Sequence, residues 1–343
     1  MVDATALNPN AGHSTTLLNV YSFMVAVQEG DSAAGRLLTP YCRGEVDEEP
    51  VQAIEECLRT PTVVSMVDVN INRSGFVWNT NDLVIPIACS PRRYLRAHQD
   101  KFQNATYKTS KVRSYEKVFV MTQEYTPNHY HFTVEHLPRI MVFLDVLLEN
   151  EDIKIALHYH KPDHDLPHAY KVHAELLELL GINRERIIHV EEDIHAGLAI
   201  LPTSTVCGDP DTHMVNMLRH ALLQALFPGS GGVPRRLPRP LIILVVRQSK
   251  RGLQNNDAVK LALQSNFPDY DVIEFFGTDP VRQQLETFAT AAMIVAPHGA
   301  GLINILAAPL HTPVLEIAPI HCPPCFLRLA LKLHHIYARH PAG

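Results

Sequence analysis

The residues best suited to chemistry sit in a few short stretches. His298-Gly299-Ala300-Gly301 is a glycine turn between the apolar run Ile294–Ala296 and the small-residue run Ala300–Ala308. Strand, glycine turn and helix in that order present free backbone N–H groups at a helix N-terminus, which favours an anion. Gly299 and Gly301 carry no Cβ, so a phosphate could approach the backbone closely. The plain alternative is an ordinary crossover whose glycines relieve packing. Arg247 and Arg251 stand just beyond the apolar run Leu241–Val246. Each guanidinium could grip phosphate oxygens in fork geometry, although an ordinary charged loop would look the same. His131, Glu135 and Arg139 are spaced i, i+4, i+8 on one face of an expected helix, opposite a leucine stripe. A His and a Glu beside a cleft could supply a general base; the bland reading is a solvated polar face. Glu316, near the end of the strand after the turn, could accept hydrogen bonds from both hydroxyls of a ribose, or serve as a cap or ion-pair partner.

Metal chemistry is not expected. His158, His160, His164 and His168 match no standard ligand spacing, and Cys322-Pro-Pro-Cys325 lacks a second cysteine pair. It could instead form a local bridge. A metal-dependent hydrolase built on the histidines is the corresponding rival reading, and it predicts stoichiometric zinc.

Composition narrows the classes. The chain has 343 residues, 46% apolar and 19% charged, which suits a globular protein of two domains. A net charge of −6 offers no basic footprint for nucleic acid. No run of about twenty apolar residues is present to span a bilayer, and the N-terminus lacks the pattern of a signal peptide. Six cysteines do not make a disulfide scaffold at this length. Sequons at Asn72 and Asn104 are weak support for a secretory lumen.

The elements that would position these residues alternate. Strands are expected at Thr62–Val69, Gly75–Trp78, Leu83–Ala88, Val118–Thr122, Ile153–His158 and Arg186–Val190. Thr126-Pro127 reads as the N-cap and first position of the helix that carries His131, and Pro138 should kink or restart it. Ala169–Leu180 is a helix closed by Gly181, and Met214–Phe227 is another. Pro228–Pro240, with four prolines and three glycines, reads as a linker. Beyond it come strands Leu241–Val246 and Val272–Phe275, helices Asn256–Ser265 and Pro280–Ala291, then the glycine-turn unit ending in strand Val314–Ile317. Helix Pro323–Lys332 and strand His335–Ala338 follow. Such alternation means parallel sheets: an α/β fold of two doubly wound, Rossmann-like domains facing across a cleft. The expected division is a poorly readable region 1–110, partly joining the first domain, a first domain 111–232 and a second domain 233–343.

Three blocks resemble glycosyltransferase family 61. Asn128–Arg139 is similar to the family's N-Y-x-H-x-x-x-[DE]-x-L-P-R segment, Val246–Asn255 to its R-x-x-x-R-x-x-x-N, and Ala296–Glu316 to its HGAGL-[TI]-N…EI block. The last is the most specific. The resemblance runs from about Val118 to His340.

It implies a GT-B enzyme that transfers a sugar, with inversion, from a nucleotide donor, UDP above all, to a hydroxyl of a polysaccharide or glycoprotein. No cofactor or metal is implied, because cationic groups hold the leaving diphosphate. Arg247, Arg251 and His298–Gly301 take that role, with Glu316 on the ribose. Glu135 or His131 is the base, His131 being a candidate to orient Glu135. The domain 111–232 becomes the acceptor side and 233–343 the nucleotide-sugar side. Partners are then a donor nucleotide sugar and a glycan or glycoprotein acceptor, with no nucleic acid, and with a membrane only through an anchor absent from this chain. The implied compartment is the Golgi or endoplasmic reticulum lumen in a eukaryote, and the cytoplasm in a bacterium. A catalytically inactive nucleotide- or glycan-binding relative of the same fold is the alternative.

Overall fold

A computed structural model describes residues 63–79, 83–84, 112–123, 125–158, 168–202, 205, 207–248, 252–319 and 321–342. The chain divides into two compact units drawn from interleaved stretches. The first takes residues up to Asn128 together with Arg139–Tyr170 and Ile182–Cys207. The second takes His129–Pro138, Lys171–Gly181 and Gly208–Gly343. The proline-rich run holds a short 3-10 turn at Pro228–Ser230 and no regular element from there to Pro240. It lies inside the second unit, as does the segment carrying His131 and Glu135.

The first unit holds a seven-stranded sheet: β1 (Val63–Ile71), β2 (Val77–Trp78), β3 (Leu83–Val84), β4 (Arg113–Val120), β5 (Lys154–Leu157), β6 (Ile187–His189) and β7 (Ile194–Pro202), in the order β3-β2-β1-β7-β4-β5-β6. β7, β4, β5 and β6 run parallel. β1 pairs antiparallel with β7 and leads through a hairpin into β2 and β3. Asn72, in one of the sequons, makes that hairpin turn by accepting from the backbone N–H groups of Ser74 and Phe76. Asn104 lies outside the described residues. The sheet is thus mixed, where the expectation was a doubly wound parallel one. β7 was not expected, because His195 and Gly197 interrupt its apolar pattern. A Cβ at Gly197 would meet the Glu116 carbonyl oxygen at 3.0 Å, so the neighbouring strand needs the glycine.

The second unit holds five parallel strands: β8 (Leu241–Val245), β9 (Asp271–Phe275), β10 (Ala291–Pro297), β11 (Pro313–Pro319) and β12 (Ile336–Ala342). β8 is buried along its whole length, as its unbroken apolar run demands of a strand covered on both faces. The strand order is β12-β11-β10-β8-β9. The direction of winding therefore reverses between β8 and β10, and the crevice at such a switch point, outside the carboxyl ends of the strands, is where doubly wound sheets bind ligands.

Candidate functional site

Arg247 follows β8 and His298 follows β10, so the two residues flank the switch point of the second sheet. Arg247 donates from Nη1 to the His298 carbonyl at 2.7 Å. The glycines are there for the packing. A Cβ at Gly299 would sit 1.7 Å from Arg247 Nη1, and one at Gly301 would sit 2.7 Å from Val245 Cγ1. The following helix, expected to run to Ala308, is a 3-10 helix, Ala300–Leu306. Its dipole is short, so the positive character of the turn rests mainly on side chains. Arg251 lies outside the described residues.

Of the roles the sequence left open for Glu316, its contacts here are those of an ion-pair partner. It is fully buried, with one carboxylate oxygen 2.6 Å from His298 Nδ1 and the other accepting the Tyr337 phenol. Arg339 Nε lies 3.8 Å from that second oxygen. Parallel pairing of β11 with β12 sets Glu316 opposite Arg339, and Tyr337, two residues earlier, falls on the same face. Burial, then the hydrogen bond to Glu316, raises the Tyr337 pKa, so the phenol stays a donor. With both oxygens engaged, the carboxylate serves the His298 ring.

The other constellation also belongs to the second unit. The chain starts its helix at His129 rather than at Thr126, whose hydroxyl instead closes a turn with Gln123. It then winds as a π-helix over His131–His136 and as a 3-10 helix over Leu137–Phe143. Pro138 has no N–H for the Val134 carbonyl, and Leu137 N–H reaches back to the Phe132 carbonyl instead. This breaks the expected i, i+4, i+8 face. His131 and Glu135 stay together, with His131 Nδ1 2.8 Å from Glu135 Oε2. Arg139 falls in the first unit, buried, and donates to the Pro202 carbonyl at 2.7 Å. Burial lowers its pKa to about 9. The solvated face of the bland reading is absent here: Glu135 is 3% exposed and Arg139 2%.

Glu135 Oε1 accepts the Gly208 backbone N–H at 2.7 Å. Gly208 adopts φ +69°, a left-handed conformation that glycine tolerates without strain. Its turn is held by the helix Cys325–Lys332. Arg328 donates to the Gly208 carbonyl at 3.3 Å, while Lys332 donates to the Pro210 carbonyl and pairs with Asp209. The same helix supplies Phe326, whose ring lies 5.3 Å from Tyr130 and 5.2 Å from His298, edge-on to both. Tyr130 in turn lies edge-on to His131 at 5.5 Å. The two histidine–carboxylate pairs thus stand at the ends of one aromatic chain.

Cys322 and Cys325 carry free thiols, so they form no local bridge. Burial, with the Glu316 and Glu135 charges, pushes the Cys325 thiol up to about 11. It is therefore no nucleophile at neutral pH. Cys207, which precedes Gly208, is disulfide-bonded. His158 is buried, with Nδ1 2.7 Å from the Val190 carbonyl, while His160 and His164 lie outside the described residues. Phe326, Tyr337 and Gly208 carry no signal of their own in the sequence. Tyr337 was the most accessible of these, through the period-two register of β12 against Glu316.

An arginine and a carboxylate-backed histidine flank the switch point of this parallel sheet, and a second carboxylate-backed histidine lies in the same unit. The family model for glycosyltransferase 61 matches residues 129–315, more than half of the 343 residues, and the chain belongs to that family. Family membership makes it a glycosyltransferase. No curated protein matches it.

Proposed function

We propose that this glycosyltransferase takes its sugar from a nucleoside diphosphate donor, UDP-linked, and transfers it with inversion to a hydroxyl of a polysaccharide or glycoprotein. The observation that carries this is the contact of Arg247 with the His298 carbonyl at the switch point of a parallel sheet. The leaving diphosphate would be met there by Arg247, Arg251, His298 and the Gly299–Gly301 backbone, without a divalent metal. The two units are read as the halves of a GT-B enzyme.

In the transfer step the acceptor oxygen attacks the anomeric carbon from the face opposite the diphosphate. The anomeric carbon–oxygen bond breaks, and UDP leaves with the electron pair. The acceptor's proton goes to the His131–Glu135 pair. Glu135 has both oxygens engaged and a side chain only 4% exposed, whereas the His131 side chain is 19% exposed. His131 therefore takes the proton, oriented by Glu135 much as a triad carboxylate orients its histidine. A disulfide at Cys207 favours an oxidising compartment such as the Golgi or endoplasmic reticulum lumen. Among the described residues no helix is long and apolar enough to cross a membrane.

Thermal denaturation with UDP, GDP, CMP and UDP-sugars, with and without divalent metal, tests the donor site. A ligand at a hundred times its Kd adds about 2.7 kcal/mol of stability. A metal-independent shift with UDP compounds, lost in Arg247→Ala, is expected. An equal shift in that variant would remove Arg247 from the site, and no shift with any nucleotide would remove the donor assignment.

A further inference from the structure

The ring of His298 has its direction and its proton fixed by what lies beneath it. A carboxylate only accepts hydrogen bonds, so the 2.6 Å contact with Glu316 Oε1 requires the proton on Nδ1. With Nδ1 donating to Glu316, a neutral ring would carry its lone pair on Nε2. A diphosphate oxygen is also only an acceptor, and two acceptors cannot face each other without a proton between them. We propose that binding of the donor's diphosphate takes up one proton from solvent onto Nε2 of His298, and that Glu316 is the positioning residue that sustains the resulting imidazolium. This rests on the turn being the diphosphate site. No bond other than the new N–H forms, and release of UDP returns the proton.

The surroundings favour this charge. Glu316 is fully buried, and its second oxygen is held by the Tyr337 phenol with Arg339 Nε at 3.8 Å. The carboxylate therefore cannot turn away from the ring. From beyond β8, Arg247 donates to the His298 carbonyl. From the helix Cys325–Lys332, Phe326 presents its ring edge-on, and the Cys325 thiol stays neutral. The carboxylate is thus the anion directly against the imidazole, and its charge balances the proton that the diphosphate brings in.

Calorimetric titration of the full chain with UDP at pH 8, in buffers of different ionisation enthalpy, reads the proton directly. The observed enthalpy should rise with the buffer's ionisation enthalpy, the sign of uptake. The slope should vanish in His298→Gln. Glu316→Gln, which keeps the shape and loses the charge, should flatten the slope and weaken UDP by roughly tenfold to a hundredfold. Tyr337→Phe should keep the slope and weaken UDP less. Wild-type binding with no buffer dependence, or a slope unchanged in His298→Gln, would overturn the inference while leaving the donor site standing. Absence of UDP binding in the wild type would overturn both. If Glu316→Gln does not fold, the wild-type slope and the His298→Gln slope still decide.

Discussion

The Arg247 guanidinium fills the space that a side chain on Gly299 would need, with Nη1 1.7 Å and Cζ 2.7 Å from the position of a Cβ there. The glycine therefore holds a place open for a neighbouring cation. Gly299→Ala should push the guanidinium away from the His298 carbonyl and weaken UDP by at least about tenfold. The backbone at Gly299, with φ +159°, also disfavours a side chain, so the melting temperature should fall as well. Wild-type UDP affinity in a folded Gly299→Ala protein would show that the arginine's seat against the turn is unimportant.

Glu135 and the donor turn should separate kinetically. Loss of general-base assistance costs roughly a hundredfold to ten-thousandfold in rate. Glu135→Gln should lose that much transfer, while UDP titration gives an unchanged Kd. Retained turnover would show that His131 does not depend on Glu135 for its orientation.

Lys332 and Arg328 hold the turn whose Gly208 N–H reaches Glu135. The Lys332–Asp209 pair is partly exposed and contributes at most about 1 kcal/mol to stability. Its loss should appear in the reaction instead. Lys332→Met should lower kcat with UDP affinity unchanged, and Lys332→Arg should restore most of it. A fall in melting temperature with no change in kcat would assign the lysine a structural role alone.

His335 makes the fold sensitive to acid. Nε2 donates to the Ile305 carbonyl at 2.9 Å, and Nδ1 is buried with no hydrogen-bond partner among the described residues. Burial pushes the pKa down to about 4, against 6.5 for an exposed ring. The unfolded chain thus takes up this proton before the folded one does. The stability tied to His335 is complete above pH 6.5 and is lost as pH falls toward about 4, amounting to about 2 kcal/mol by pH 5. His335→Phe should be less stable at neutral pH, but its melting temperature should drop less between pH 7 and pH 5. An equal drop would mean that other groups set the acid limit.

The second unit was legible in the sequence because its strands are short apolar runs close to glycine or proline, β8 unbroken and β9 and β11 each carrying a single glutamate. Leu241–Val246, Val272–Phe275 and Val314–Ile317 all fall within observed strands or one residue beyond their ends. β7 was hidden because His195 and Gly197 interrupt its apolar pattern, although the close approach of Glu116 on β4 is what requires the glycine. The face shared by His131, Glu135 and Arg139 was misjudged for a different reason. Helical spacing assumes one pitch, and Pro138 forces the chain from π to 3-10 winding. Glu316 was found with several roles open, and the Tyr337 and Arg339 partners that engage it became visible only once β12 was set in register beside β11.

The interleaving of the two units has a consequence for how the site can be assembled. A cut within Pro228–Pro240 would leave His131, Glu135 and Gly208 on one piece, with Arg247, His298, Glu316, Phe326 and Tyr337 on the other. Each piece would hold one histidine–carboxylate pair and half of the aromatic chain. Contacts so distant in sequence close late and slowly during folding. Fragment complementation follows from this: the two pieces should regain activity only together, and neither should work as an independent module.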